Sequence, residues 1–284
     1  MGGPMAGHLA AAGYSLRAWN RSDKRRGEWA DAHSGKADVA GSIAEAASGA
    51  DIVIVCVGND EDLAQVVLEA DGALAHMAEG TLLIDHTTTS AAMARSVADE
   101  ADARGIGFVD APVSGGQAGA ENGKLAIMCG GSVEDFARAE PVMQSYAARI
   151  VHVGDVGAGQ TAKMANQMCI AGTLAGLSEA VRLSQASGMD TGKVFQAISG
   201  GAAQSWQMDN RWATMAGGEF DFGFAIAWMR KDLGYALDEA KRLGLSSPVS
   251  ALVDQFYADI QAMGGTRQDT SALIRRLPKG NETL

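Results

Sequence analysis

Short apolar runs alternate with Ala-rich helical stretches along the first half of this chain. Tyr14–Trp19, Asp51–Val57, Thr81–Ile84, Gly107–Val109, Leu125–Cys129 and Ile150–Val153 are the strand candidates, several of them rich in Val and Ile as buried strands are. Between them lie the helical segments Ser42–Ala47, Glu61–Glu69, Ser90–Arg104 and Val133–Ser145, two of which open on the good N-cap residues Ser42 and Ser90. This alternation predicts an α/β fold, a largely parallel, doubly wound sheet with helices on both faces. After Gly159 the pattern changes. Gln160–Ser187 has no Pro, little β-branching and many Ala, Met and Leu residues, so it reads as one helix of about 42 Å. Helical segments near Thr191–Ile198, Ser205–Met215, Ala227–Leu243 and Ser247–Met263 follow. The chain therefore reads as two domains, an α/β domain over 1–156 and an all-helical domain over 157–284, joined where Gly154, Gly157 and Gly159 loosen the backbone.

Composition narrows the class. Of 284 residues 36 are Gly and only 5 Pro, while 47% are hydrophobic and 20% charged, values that exclude a disordered or collagen-like chain. Continuous apolar runs such as Ile52–Val57 fall far short of the roughly 20 residues that span a bilayer. No basic segment leads into an apolar stretch at the start, so no signal peptide is expected. A formal charge of −11 disfavours nucleic acid and anionic membranes as partners. The three cysteines, Cys56, Cys129 and Cys169, are an odd number at wide spacing. They read as buried free thiols of a cytoplasmic protein, with no cluster that suggests a metal.

Beyond the cofactor-like start, two further segments carry candidate chemistry. Met1–Leu9 looks like a helix that needs a strand ahead of it, with Gly2 as the last glycine of a dinucleotide fingerprint. The expectation is that a strand of about 5–6 residues and its glycine turn are missing, the chain being N-terminally truncated. At the end of the next strand, Asn20-Arg21-Ser22 stands where a carboxylate usually binds a ribose 2′-hydroxyl. An amide, a cation and a hydroxyl suit a 2′-phosphate there, and read equally as a polar turn capped by Ser22. In the first of the two further segments, Asp110–Ala120, Ser114 stands against Gly115 and Gly116, whose amides could hold a carboxylate. The plain alternative is a tight loop. The second, Gly157–Gln167, puts Lys163, Asn166 and Gln167 on one helical face of an apolar stretch. A poorly solvated Lys suits proton transfer, or else it snorkels to the surface. Trp206 reads as a pocket wall or, more simply, as helical core.

Met1–Met5, Asn20–Ser22, Asp110–Ala120, Gly157–Gln167, Lys231-Asp232-Leu233 and Asp269-x-Ser271-Ala272 occur in the order and spacing of a known group. Over essentially its whole length the chain resembles the β-hydroxyacid dehydrogenases, the group of 3-hydroxyisobutyrate dehydrogenase and tartronate semialdehyde reductase. The resemblance implies a Rossmann domain, then an all-α domain on a long interdomain helix, with the active site in the cleft between them. It implies Lys163 as catalytic lysine, and Ser114, Gly115, Gly116 and Asn166 as substrate contacts. Gly2, Asn20, Arg21, Ser22, Val57, Thr88 and Lys231 match cofactor-binding positions. The expected reaction interconverts a small 3-hydroxyacid and its semialdehyde, with NADP preferred and NAD as the second choice. The expected partners are a small carboxylate substrate and, because the Met164–Leu183 stretch is apolar, a second copy in a homodimer or homotetramer. Lys163 argues against imine reductases, which usually carry Asp or Tyr there. Ala165-Asn166 argues against 6-phosphogluconate dehydrogenases, which have His-Asn. The alternatives are a catalytically silent NADP-binding protein and an imine or keto-acid reductase.

Overall fold

The computed structural model describes residues 1–35 and 37–278. It divides into two units, Met1–Lys163 and Met164–Leu284. The first contains α1 (Gly2–Ala11), β1 (Arg17–Ala18), α2 (Asp23–Ala32), β2 (Asp38–Val39), α3 (Ile43–Ala47), β3 (Ile52–Val55) and α4 (Asp60–Val67). It continues through β4 (Leu82–Asp85), α5 (Ala91–Asp102), β5 (Gly107–Asp110), β6 (Val113–Ser114), α6 (Gly116–Glu121), β7 (Leu125–Gly131), α7 (Val133–Met143) and β8 (Ala147–Gly154). Its last residues form the start of α8 (Ala158–Ala186). Polar residues at the helix starts dictate where these helices begin. Ser22, Ser42, Ser90 and Ser132 each accept a bond from the backbone N–H three residues on, and Asn59 does the same for α4. Each such cap contributes about 1 kcal/mol.

The main sheet is largely parallel, as expected, with two antiparallel pairings at β7. Strands β3, β4 and β5 run parallel, β7 is antiparallel to both β5 and β6, and β8 is parallel to β7. A parallel return needs a crossover of a dozen or more residues, and only the short α6 separates β6 from β7. The expected strand Tyr14–Trp19 contracts to β1, which pairs in parallel with the two-residue β2 as a separate sheet. Segments this short have no readable period, so β2 and β6 were invisible in the pattern. Successive strand residues feed opposite faces, as strand geometry demands. Leu82, Ile84 and Val109 pack with Met5, Leu9, Val142 and Met143 of α1 and α7. Leu83 and Phe108 pack with Leu63, Val67, Ala94 and Val97 of α4 and α5.

The second unit contains the rest of α8 with α9 (Thr191–Ile198), α10 (Trp206–Gly217), α11 (Ile226–Arg242), α12 (Pro248–Ala262) and a closing 3₁₀ segment, Thr270–Arg276. Ala171, Leu174, Leu177 and Val181 recur every three or four residues of α8. They meet Met208, Trp212, Met229, Leu233, Val253, Tyr257 and Leu273 in one core. Two expectations fail here. Cys169 is exposed and Cys56 half-buried, so only Cys129 is a buried thiol. Trp206, at the first turn of α10, is 55% exposed and is not core. Position along a helix decides such cases, and periodicity does not fix the stripe at a helix end.

One buried carboxylate ties the unit together. Asp269 accepts from Arg211 Nε at 3.0 Å, from the Phe224 and Ser271 backbone N–H groups at 2.9 and 3.0 Å, and from Ser271 Oγ at 2.6 Å. Removing it leaves a largely buried guanidinium and two amides without their partner. Asp269→Ala is expected to lose about 3–5 kcal/mol of stability. Denaturant unfolding followed by tryptophan fluorescence checks this, and an unchanged midpoint contradicts it.

Candidate active site

Ligands of open α/β sheets bind outside the carboxyl ends of the strands, and the candidate residues of the first unit gather there. Asp85 and Asp110 end the neighbouring strands β4 and β5 in register, and both are fully buried. Asp110 reaches the first turn of α8, accepting from Gly157 N–H at 2.7 Å and Gln160 N–H at 2.9 Å. A carboxylate at a helix N-terminus satisfies orphan donors and meets the positive end of the helix dipole. Gly159 is required by this approach, since a Cβ there would lie 2.5 Å from the carbonyl oxygens of both Asp110 and Met128.

Gln160 extends the connection to the loop after β4. Its side-chain amide donates to the Thr87 carbonyl at 2.7 Å, and its oxygen accepts from Thr89 N–H at 3.0 Å. Thr88 is thereby bracketed on both sides. Thr87 Oγ1 in turn accepts from the Val57 N–H at 3.1 Å, bringing the end of β3 into the same network. Asp60, at the start of α4, accepts from Ser90 N–H and Oγ at 2.9 and 2.6 Å. Lys163 lies on α8 three residues beyond Gln160 and is buried.

In the segment following Asp110 a two-glycine turn links a short strand to a short helix. Ser114 belongs to β6 and pairs with Ala126 of β7, and α6 starts at Gly116. Gly115 and Gly116 adopt φ of +128° and +62° and are exposed, a turn that glycine makes without strain. Gly2 is the first residue of α1, whose N-cap Met1 provides no side-chain bond. A Cβ on Gly2 would lie 3.5 Å from Cys56 Cβ, so the uncapped start of α1 stands over the end of β3. Free helix N–H groups above the strand ends fit a dinucleotide pyrophosphate. At the end of β1, Asn20 Oδ1 accepts from Ser22 N–H at 2.9 Å and Ser22 caps α2. Arg21 Nη1 donates to Asp62 Oδ1 at 2.7 Å, an acid that the sequence reading gave no role.

In the second unit, Asn166 donates to Gln167 Oε1 at 2.7 Å, and Gln167 donates to Asp232 Oδ2 at 2.6 Å. Lys231 Nζ stands 3.2 Å from Asp232 Oδ1 and within 5.3 and 5.6 Å of the Tyr235 and Trp228 ring centroids. Gln160 and Asp232 lie inside the sequence motifs, which by themselves give neither a task. Their signal was a polar residue at a helical position that packs apolar neighbours. Among the described residues no group of three or more His, Cys, Asp or Glu could hold a metal ion, and no helix is long and apolar enough to cross a membrane.

Residues 1–154 match the family described as the NAD binding domain of 6-phosphogluconate dehydrogenase. Residues 157–277 match the one described as NAD-binding of NADP-dependent 3-hydroxyisobutyrate dehydrogenase. A 3-hydroxyisobutyrate dehydrogenase of Pseudomonas aeruginosa is 35% identical over 91% of this chain and 88% of its own length. The chain belongs to the β-hydroxyacid dehydrogenase family. An uncharacterised oxidoreductase of Shewanella frigidimarina is 52% identical, over 98% of this chain and 95% of its own. The structure of Mycobacterium tuberculosis 3-hydroxyisobutyrate dehydrogenase with L-serine superimposes with a TM-score of 0.87 at 33% identity, covering 98% of this chain and 95% of that one. This β-hydroxyacid dehydrogenase is thus an NAD(P)-dependent oxidoreductase acting on CH–OH, with a Rossmann domain followed by a helical domain.

Burial sets the charge states around the strand ends. It pushes the Asp85 carboxyl up to about 7, with bonds from Thr87 pulling down and the charges of Asp110 and Asp60 pushing up further. It pushes Asp110 up to about 6 against the downward pull of the amides of α8. It pulls His86 down to about 4, so the ring is neutral, donating from Nδ1 to the Ala111 carbonyl and accepting at Nε2 from the Tyr146 hydroxyl. An acid whose folded value is raised binds a proton that the unfolded chain has released. Its stabilisation is full below about pH 4 and is lost as pH rises through about 7. The stability of the wild type relative to Asp85→Asn is therefore expected to fall by up to about 1.4 kcal/mol per pH unit between pH 5 and 7. His86 is common to both proteins and cancels. Urea midpoints across this range measure the difference, and a pH-independent gap contradicts the assignment.

Proposed function

We propose that the protein interconverts a small 3-hydroxyacid and its semialdehyde, preferring NADP(H) to NAD(H), with Lys163 as the acid–base group. The observation that carries this reading is the buried Lys163 on the helix whose first turn is tied to Asp110 and, through Gln160, to both flanks of Thr88. A proton-transferring group must be held within hydrogen-bond reach of the reacting oxygen, and small misplacements cost rate steeply. When bound, the nicotinamide supplies or accepts the hydride. In the reducing direction protonated Nζ of Lys163 polarises the aldehyde oxygen and gives it a proton as it becomes an alcohol. In the oxidising direction neutral Nζ takes that proton from the hydroxyl. Because Lys163 is buried, bulk water competes poorly for the same proton.

The Ser114 side chain and the exposed backbone of Gly115 and Gly116 hold the substrate carboxylate in this reading, and Asn166 orients its hydroxyl. Gly2, Val57, Thr88 and Lys231 contact the dinucleotide, with Arg21, flanked by Asn20 and Ser22, serving the 2′-phosphate. The substrate class is supported by the relatives, since 3-hydroxyisobutyrate and L-serine each carry a carboxylate and a hydroxyl on C3. Lys163→Ala is expected to lower turnover by about 10²–10⁴ while leaving NADPH affinity nearly intact. NADPH consumption across a panel of small semialdehydes, with cofactor titration alongside, tests it. Unchanged turnover removes Lys163 from the mechanism.

The same reading makes the protein a cytoplasmic homodimer or homotetramer. Leu183 on α8 and Val249 and Leu252 on α12 are exposed apolar residues of the helical unit, the kind of surface a second copy covers. Sedimentation at micromolar concentration is expected to give a species of at least twice the 29.3 kDa chain mass, and a monomer contradicts this.

A further inference from the structure

We propose that Asp62 sets how strongly this protein discriminates between NADPH and NADH, by neutralising Arg21 and by offering the carboxylate that the end of β1 lacks. The inference rests on the reading that Arg21 meets the 2′-phosphate. The strand end itself carries no acid: Asn20 and Ser22 spend their side-chain oxygens on Ser22 N–H and Arg25 N–H. Of the neighbouring charges, Asp23 pairs with Arg26 and Lys24 stands 3.7 Å from Glu28. Arg21 instead bonds across to α4, with its Nη1 2.7 Å from Asp62 Oδ1.

The two partners are held unequally. Asp62 lies in the first turn of α4, where a negative side chain is favoured, and its backbone N–H is fixed by Asn59 Oδ1 at 2.7 Å. Its side chain is 20% exposed, against 74% for Arg21. The carboxylate is therefore the anchored partner and the guanidinium the one free to swing. A phosphate that recruits Arg21 must compete with a charge already matched, and it comes close to an anchored like charge. A bare 2′-hydroxyl meets the opposite situation, because Asp62 can accept a hydrogen bond from it as the usual strand-end acid does in NAD-binding sheets. One ion pair thus serves both cofactors: Arg21 answers the phosphate, and Asp62 answers the hydroxyl. The result is a modest NADPH preference in place of a strict one.

Calorimetric dissociation constants for NADP⁺ and NAD⁺, and for the fragments 2′,5′-ADP and 5′-AMP, test this without turnover in wild type, Arg21→Ala, Asp62→Asn and the double variant. The wild-type preference is expected to lie within about tenfold. Asp62→Asn is expected to raise it about tenfold, tightening the phosphorylated ligands and weakening the others. Arg21→Ala is expected to lower it by a similar factor, and the two effects are expected not to multiply in the double variant because the residues are in contact. If Arg21→Ala moves the preference and Asp62→Asn does not, the role of Asp62 is overturned while the phosphate reading stands. If Arg21→Ala leaves the preference unchanged, the phosphate reading falls and this inference with it.

Discussion

Two backbone N–H groups at the start of α8, those of Gly157 just before it and Gln160 in its first turn, end on the carboxylate of Asp110 at 2.7 and 2.9 Å. An uncapped helix start buried against a sheet would leave these donors unsatisfied, at a cost of about 1–3 kcal/mol each. Asp110 comes from a strand 47 residues earlier in the chain than Gly157, so the bond that caps the helix also fixes where the helix sits on the strand ends. Gln160, oriented by that turn, then bonds to either side of Thr88. Lys163, three residues on, inherits its position from the same turn. The placement of the proposed acid–base group therefore follows from a capping requirement at the end of β5.

The arrangement carries a cost in charge. Asp85 and Asp110 stand in register on adjacent strands, and burial raises both carboxyls, to about 7 and about 6. The amides of α8 compensate Asp110, whereas one oxygen of Asp85 is buried without a hydrogen-bond partner. Near neutral pH the lower of the two is ionised and serves as the cap, and its neighbour stays partly protonated. Two adjacent carboxyls can share a dry sheet end only if they do not both carry full charge. His86 on the same strand end stays neutral because burial disfavours the charged ring, and the bond to the Ala111 carbonyl opposes this only in part.

Period and punctuation made much of this architecture legible. The helices with side-chain caps at Ser42 and Ser90 begin where those residues stand, and α9 spans Thr191–Ile198 as its pattern predicts. The twin glycines near 157–159 and the polar face at Lys163 and Asn166 likewise marked the helix that carries the candidate lysine. Pairings between distant segments were not legible. Nothing local in Asp110 distinguishes a substrate-loop acid from a helix cap. Likewise nothing in Asp62 connects it to Arg21, 41 residues away. The antiparallel pairings of β7 are not legible for a related reason: strand direction depends on the length of the return through α6, while the apolar pattern reports only burial.

A general acid on a loop would keep rotational and backbone freedom that proton transfer cannot use. Here the lysine is carried by a 29-residue helix whose start is bonded to strand ends on a rigid sheet. Such buried polar networks add little net stability, since each group must first be taken out of water. Apolar residues of similar volume would stabilise the same junction at least as well. What an apolar junction cannot do is select one register of α8 on the sheet, because hydrophobic contact is non-directional and hydrogen bonds are not. The polar junction of Asp110, Gln160 and the Thr87–Thr89 loop thus gives up stability that burial alone could supply. In return it fixes a single position for the side chain three residues further along.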